Sequence, residues 1–328
     1  MTKRVIVTGG SGFIGAHLVK YLVANGWEVG VIDNLVRGHK SRLTSVIDEI
    51  QMYNLDARDE DAMTKAVARA DVVMHLAAIN GTENFYKHPE QVLDVGIRSA
   101  LAVVNACRRA GVPDLIMASS AEVYQTPSIV PTPETVTLSL PDSLNPRYSY
   151  GGSKIISELI AFNYGNEHFQ KVQVFRPHNV YGPDMGTKHV IPQFIIRAAG
   201  LGKQGANPAQ FLIQGSGQET RAFCYVDDAV RGIVLMYELG QHRQVYHIGN
   251  DQEVSIESLV TRLGQKMGLK LQVCPSAGAA GGTLRRCPDI SKMRKLGYEP
   301  TIDLDTGLGL TIDWYLENWA RLPLNGLL

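Results

Sequence analysis

Short apolar runs alternate with longer stretches of helical period along the first half of the chain. Residues 5–8 form the first run, a glycine cluster follows, and a helix is predicted over 13–25, stopped by Gly26. Residues 28–33, 71–76, 114–119 and 171–175 read as further strands. Helices over 97–110, stopped by Gly111, and over 150–166 precede the last two of these strands. Strands that are apolar throughout belong inside a sheet covered on both faces. With helices between them they predict right-handed crossovers and a doubly wound parallel sheet, the α/β class.

Past Arg176-Pro177 the texture changes. Gly182-Pro183, Gly186, Gly200-Leu201-Gly202 and Gly215-Ser216-Gly217 punctuate shorter elements, among them a helix over 191–199, a strand at 245–248 and a helix over 255–267. Residues 277–282 read as a glycine/alanine loop. The expected division is a main domain over 1–177, with a return near 223–250, and a smaller substrate-binding lobe over 178–328.

Composition narrows the function. Lys plus Arg and Asp plus Glu are equal at 32 each, so the basic excess that nucleic acid and anionic membranes select is missing. At 45% hydrophobic and 20% charged residues, the chain has the balance of a well-buried globular enzyme. Val5-Ile6-Val7 is too short for a signal-peptide core, and no apolar run nears the roughly 20 residues of a membrane span. The cytoplasm is the expected address. Cys107, Cys224, Cys274 and Cys287 are widely spaced, with no neighbouring histidine cluster, which points to reduced thiols and to no metal site.

Gly9-Gly10-Ser11-Gly12-Phe13-Ile14-Gly15 lies between the first strand and the first helix. Glycines at 9, 12 and 15 let backbone approach a pyrophosphate, whose charge then meets free N–H groups at a helix N-terminus. Asp33 closes the second strand about 20 residues later, where a carboxylate holds a ribose 2′-hydroxyl and repels a 2′-phosphate. Together they predict a Rossmann-type site for NAD. Arg37, His39 and Lys40, just beyond, are either a solvated loop or a cradle for the extra phosphate of NADP. Asp56, in Asn54-Leu55-Asp56, reaches the adenine or caps a helix. His75-Leu76-Ala77-Ala78 ends a strand in small residues along which a cofactor can lie, and His75 itself reads as a packed, hydrogen-bonded histidine. The expected cofactor-binding set is Gly9, Gly12, Phe13, Ile14, Gly15, Asp33, Asn34, Asp56, Leu76, Ala77 and Ala78, with Tyr150 and Lys154 beside the reacting end.

Tyr150-Gly151-Gly152-Ser153-Lys154 puts a phenol and an ammonium on one helix face. The ammonium is expected to lower the phenol pKa, so that tyrosinate takes a proton from a substrate hydroxyl. Ser120, at the end of the strand containing Ala118-Ser119-Ser120, offers a hydroxyl to the same oxygen.

With these motifs the chain resembles, over nearly its whole length, the extended short-chain dehydrogenase/reductases that modify nucleotide sugars. The resemblance rests on the glycine loop, His75-Leu76-Ala77-Ala78, Ser119-Ser120-Ala121-Glu122-Val123-Tyr124, Tyr150 with Lys154, and Arg176-Pro177-His178-Asn179-Val180-Tyr181-Gly182-Pro183. Thr220-Arg221-Ala222-Phe223-Cys224-Tyr225-Val226-Asp227-Asp228 and Arg286-Cys287-Pro288-Asp289-Ile290 are most similar to UDP-glucuronate decarboxylases and sugar 4,6-dehydratases. It implies tightly held NAD, a nucleotide-diphosphate sugar as substrate, oxidation at carbon 4 and a second step on the ketone. Tyr150 is then the base, Lys154 tunes it, and Ser120 orients it. Asn179, Arg221 and Arg286 contact the diphosphate or the sugar; read singly, the arginines are equally surface ion pairs. A homodimer through the helices holding 97–110 and 150–166 is implied as well.

Departures from the family pattern bear on the reaction. Gly96 stands where relatives often carry Asn, and Gln125 where they carry Gly. Ala121 stands where dehydratases place an acidic Asp and decarboxylases a Ser; some epimerases have Ala. Glu122 is either the base for the acidified carbon-5 hydrogen or an ordinary surface carboxylate. Epimerisation is the expected reaction, at carbon 4 by turning the keto sugar or at carbon 5 through an enolate. The alternatives are 4,6-dehydration, decarboxylation of UDP-glucuronate, an NADP-linked reduction of small ketones served by Arg37 and Lys40, and a non-catalytic NAD sensor. The intact Tyr150 and Lys154 speak against the sensor.

Overall fold

Seven parallel strands form the centre of the computed structural model, which describes residues 2–164, 167–205, 208–277 and 283–322. They are β1 (Arg4–Thr8), β2 (Glu28–Ile32), β3 (Ile50–Tyr53), β4 (Val72–His75), β5 (Asp114–Ala118), β6 (Lys171–Pro177) and β7 (Gln244–Ile248). Their order is β7-β6-β5-β4-β1-β2-β3, so the direction of winding reverses between β1 and β4. Such sheets take ligands in the crevice at that reversal, outside the carboxyl ends of the strands.

The apolar strands are explained by cover on both faces. Val5 and Val7 of β1 join one core with Leu18 and Leu22, while Ile6 between them joins a second with Val73, Val103 and Val104. The helices that supply this cover are α1 (Phe13–Ala24), α2 (Glu60–Ala66), α3 (Pro89–Ala110), α4 (Ser149–Leu159) and α5 (Val226–Leu239).

Several boundaries differ from the sequence reading. β3 was not anticipated: Ile50-Gln51-Met52-Tyr53 is an edge strand with Gln51 exposed, so its pattern is mixed, and the strand expected third is the fourth. α3 begins at Pro89, not 97; proline at the first helical position is preset for the helix and lacks only an N–H that would have no partner there. α4 ends at Leu159 and passes into a π-helical turn over Ile160–Tyr164; the expected end at Asn166 lies outside the described residues. α5 was missed, its first turn being marked by the acidic pair Asp227-Asp228. β7 pairs with β6, Val245 opposite Val174, and so returns to the main sheet. Of the expected 277–282 loop, 278–282 lie outside the described residues.

The second half also builds a three-stranded sheet from Glu253–Ser255, Thr220–Ala222 and Arg285–Arg286, which sets Arg286 opposite Arg221. Among the described residues no helix is long and apolar enough to cross a membrane, and no group of His, Cys, Asp and Glu is arranged to hold a metal.

Candidate active site

β1 delivers the chain into the glycine loop at the reversal point. Gly9 has φ +69°, and a Cβ on it would stand 2.8 Å from the Ala77 nitrogen. A Cβ on Gly15 would overlap the Gly9 carbonyl. Bare backbone is therefore required where residues 9–15 fold against Leu76-Ala77. Gly12 caps α1 with no side-chain hydrogen bond, and the first turn, which includes Phe13 and Ile14, holds no acid, so its N–H groups stay open to an anion.

Asp33 is buried and ties two loops together: Oδ2 accepts from Ser11 N and Oδ1 from Leu35 N, both at 2.9 Å. A Cβ on Gly38 would stand 2.7 Å from both carboxylate oxygens, so the loop beyond closes over Asp33. Asn34 donates to Asp56 at 3.1 Å. Asp56 also accepts from Arg58 N and Nε, each at 2.9 Å, and from Nη2 at 2.7 Å; these bonds hold its carboxyl far below the usual range. The helix-cap reading of Asp56 is corrected: α2 is capped by Asp59, which accepts from Ala62 N. His75 is the packed histidine expected, with Nδ1 2.7 Å from Thr8 Oγ1 and Nε2 3.3 Å from Ser99 Oγ. Burial, and then the Lys154 charge, pull its pKa down to about 3. Arg37 donates to the Asn80 carbonyl across the crevice.

α4 presents the catalytic candidates to the end of β5. Tyr150 is buried, lies beside Ser120 and is stacked on Phe85 at 5.1 Å between centroids. The expected lowering of its pKa is not what the geometry produces. Burial, with the Glu122 charge adding to it, pushes the phenol up to about 12; neighbouring Ser120 and the Arg37 charge work the other way but do not offset it. The Lys154 ammonium is turned to the Ala118 carbonyl at 2.8 Å and stands 5.8 Å from the Tyr150 ring centroid. Burial lowers Lys154 to about 8, and Glu158 opposes that fall.

Glu122 is neither free nor an ordinary surface carboxylate. It lies 2.7 Å from Arg286 Nη1 in a half-buried ion pair. Burial raises its pKa, but Arg286, Arg147 and Arg221 together outweigh burial and hold it below the ordinary value. Arg286 also donates to Thr283 Oγ1 at 3.2 Å. Arg221 has backbone acceptors, Thr220 O at 2.7 Å and Thr283 O at 2.9 Å. Asn179, at φ +41°, donates to Ala222 O at 3.1 Å, which ties it to the strand bearing Arg221.

The structure therefore forms two clusters, Tyr150–Ser120–Lys154 and Glu122–Arg286–Arg221. Four residues escaped the sequence reading of the site. Phe85 and Arg147 carry no motif of their own, although Arg147 just precedes α4. Thr283 accepts from Arg286 and donates to Gln125 O at 2.9 Å. Glu158, one turn beyond Lys154, had a signal in its spacing. At two departures from the family pattern, Gln125 sits at φ +52° and donates to Glu122 O at 2.6 Å, and a Cβ on Gly96 would stand 2.7 Å from Ser153 Oγ. Gly96 thus lets α3 and α4 touch.

This combination of a bare-backbone loop, a carboxylate at the second strand and a Ser–Tyr–Lys cluster has a counterpart among known proteins. Residues 5–249 match the model of the NAD dependent epimerase/dehydratase family. The chain belongs to that family. Its cofactor is accordingly NAD, which the glycine cradle and Asp33 fit. UDP-glucuronic acid decarboxylase 1 of Xenopus tropicalis is 31% identical over 97% of this chain and 74% of its own length. A dTDP-glucose 4,6-dehydratase double mutant from Streptomyces venezuelae, solved with NAD bound, superposes with a TM-score of 0.86 at 26% identity, covering 97% of this chain and 98% of that one. The UDP-glucose 4-epimerase of Thermotoga maritima, solved with UDP-glucose, gives 0.85 at 28% identity, over 96% and 99%. This epimerase/dehydratase family member is thus similar to enzymes of three different reactions.

Proposed function

We propose that this family member epimerises a nucleotide-diphosphate sugar at carbon 4, through a transient 4-keto sugar. The observation that carries the reading is the state of Ala121 and Glu122. Ala121 has no proton to give a departing 6-hydroxyl, and Glu122 is engaged by Arg286, its basicity reduced. Elimination and carbon-5 chemistry thus lack their acid and base, whereas Tyr150 and Ser120 remain. Gly9, Gly12, Gly15 and Asp33 would hold NAD, with Phe13, Ile14, Asn34, Asp56, Leu76, Ala77 and Ala78 around it. When bound, NAD supplies a reversible hydride acceptor. Tyr150, once ionised, takes the 4-hydroxyl proton and returns it; burial opposes that ionisation, and the positive charge of oxidised nicotinamide would favour it. Ser120 holds the same oxygen, and Lys154 fixes the strand end that carries Ser120. A small residue at 121 leaves the keto sugar room to turn.

In this reading 1–177, with the return near 223–250, form the cofactor half, and 178–328 bind the nucleotide sugar through Asn179, Arg221 and Arg286. The α3 and α4 surfaces would pair two copies. Decarboxylation of a UDP-uronate is the second reading, favoured by three arginines whose charges converge on Glu122 and by the 31% identical decarboxylase. Incubating the purified protein with UDP-, GDP-, dTDP- and CDP-sugars, and following products by mass and NMR, tests both. An isomer supports epimerisation. Loss of carbon dioxide supports the second reading, and loss of water contradicts both.

A further inference from the structure

Helix α4 meets the end of β5 through three residues spaced four apart, and only two of them have a role so far. Tyr150 lies beside Ser120, Lys154 Nζ donates to Ala118 O at 2.8 Å, and Ser119 Oγ donates to Glu158 Oε1. One helix face therefore grips two consecutive residues at the strand end, Ala118 and Ser119, immediately before Ser120. Glu158 is almost wholly buried and is held from β6 by Arg176, whose Nε reaches Oε1 at 2.8 Å and whose Nη2 reaches Oε2 at 2.6 Å. Arg176 also donates to Tyr124 OH, which lies 2.7 Å from His247 Nε2 on β7.

We propose that Glu158 is a positioning residue of the active site, acting as the buried counter-charge of Lys154 and as the anchor of the Ser119–Ser120 strand end. The proposal rests on the role given above to Tyr150, Ser120 and Lys154. A buried ion pair alone is weak grounds for function, since apolar residues often replace one without loss. Here the carboxylate does two further things. It fixes the residue next to the catalytic serine, and it lies one helical turn from Lys154, where side chains are neighbours. Around Lys154 the other titratable groups are His75, pulled down to about 3, and Tyr150, pushed up to about 12; both are neutral in the resting site and add no negative charge. Around Glu158 stand Ser119 just past β5, Arg176 from β6, Tyr124 from the following turn and Lys154 on its own helix; none but Glu158 is an anion. Burial drives Lys154 towards its neutral form, and Glu158 keeps it protonated near neutral pH.

The test uses the NAD-loaded protein with 13Cε-labelled lysine, following Lys154 by NMR through a pH titration. Glu158→Gln leaves Arg176 uncompensated, so the informative variant is Glu158→Gln with Arg176→Met, which removes both charges. Glu158 is the charge that raises Lys154, so its removal should move the Lys154 midpoint clearly below the native one. A folded double variant whose Lys154 titrates as in the native protein overturns the proposal. Ser119→Ala keeps the ion pair and is the second arm. With whichever UDP-sugar of the panel turns over, it should lower kcat about tenfold, the worth of one hydrogen bond to a charged group, and leave KM unchanged. Unchanged kcat contradicts the anchoring role. The lysine titration needs no turnover, so its outcome is separable from that of the epimerase reading.

Discussion

The two halves of the candidate site are organised in opposite ways. On the cofactor side, Lys154 and Glu158 are buried and bonded to a strand end beside the buried Tyr150, leaving little to rearrange when substrate arrives. On the lobe side, Arg221 and Arg286 already have partners within the protein, carbonyls and Glu122, that a diphosphate bound as proposed would replace. The difference separates two physical tasks. Chemistry needs donors fixed before the reaction, because reorganisation then costs nothing in the transition state. Recognition of a charged ligand needs cations that stay soluble and compact without it, and internal pairing provides that.

The largest expected effect breaks the first half. Tyr150→Phe should keep fold and bound NAD, read from the absorbance of the purified protein, and lose about a hundredfold to ten-thousandfold in turnover. Arg286→Ala strikes the second half: KM for the nucleotide sugar should rise by about ten- to a hundredfold, the worth of a charge-assisted hydrogen bond, with a much smaller change in kcat. A kcat-only effect would move Arg286 into the chemistry and blur the division.

The packing behind the first half can be probed through stability. Gly96→Ala forces a methyl against Ser153 and should destabilise by about 1–3 kcal/mol, seen as a lower Tm. Acid should act there too. The native His75 pKa is about 3 against an ordinary 6.5, so between these values the unfolded chain binds a proton that the native one refuses. Stability is therefore lost as pH falls below about 6.5, and His75→Asn should reduce proton uptake on unfolding by up to about one proton. The smallest effect is expected from Glu122→Gln. It leaves Arg286 without its carboxylate but removes no group that the carbon-4 chemistry uses, so turnover should change only a few-fold.

Much of this division was legible in the residues. Gly9, Gly12, Gly15 and Asp33 announced a dinucleotide fold because backbone clearance and a strand-end carboxylate are local demands. Tyr150, Lys154 and Ser120 were legible because helix spacing and strand ends are local as well. The direction of the Tyr150 pKa was not, since it depends on burial under Phe85 and on where Lys154 turns. Nor was the Glu122–Arg286 pair, whose members stand 164 positions apart and meet only through the small sheet of the lobe. β3 escaped for a simpler reason: an edge strand is half polar.

The central claim is that the reaction stays at carbon 4, driven by Tyr150 and Ser120, with Glu122 held out of it by Arg286. Turnover in deuterated water of whichever UDP-sugar of the panel is converted, followed by NMR of the product, tests this most directly. The account predicts a carbon-4 epimer with protium retained at carbon 5 and no release of carbon dioxide. Deuterium at carbon 5, abolished by Glu122→Gln, would contradict it.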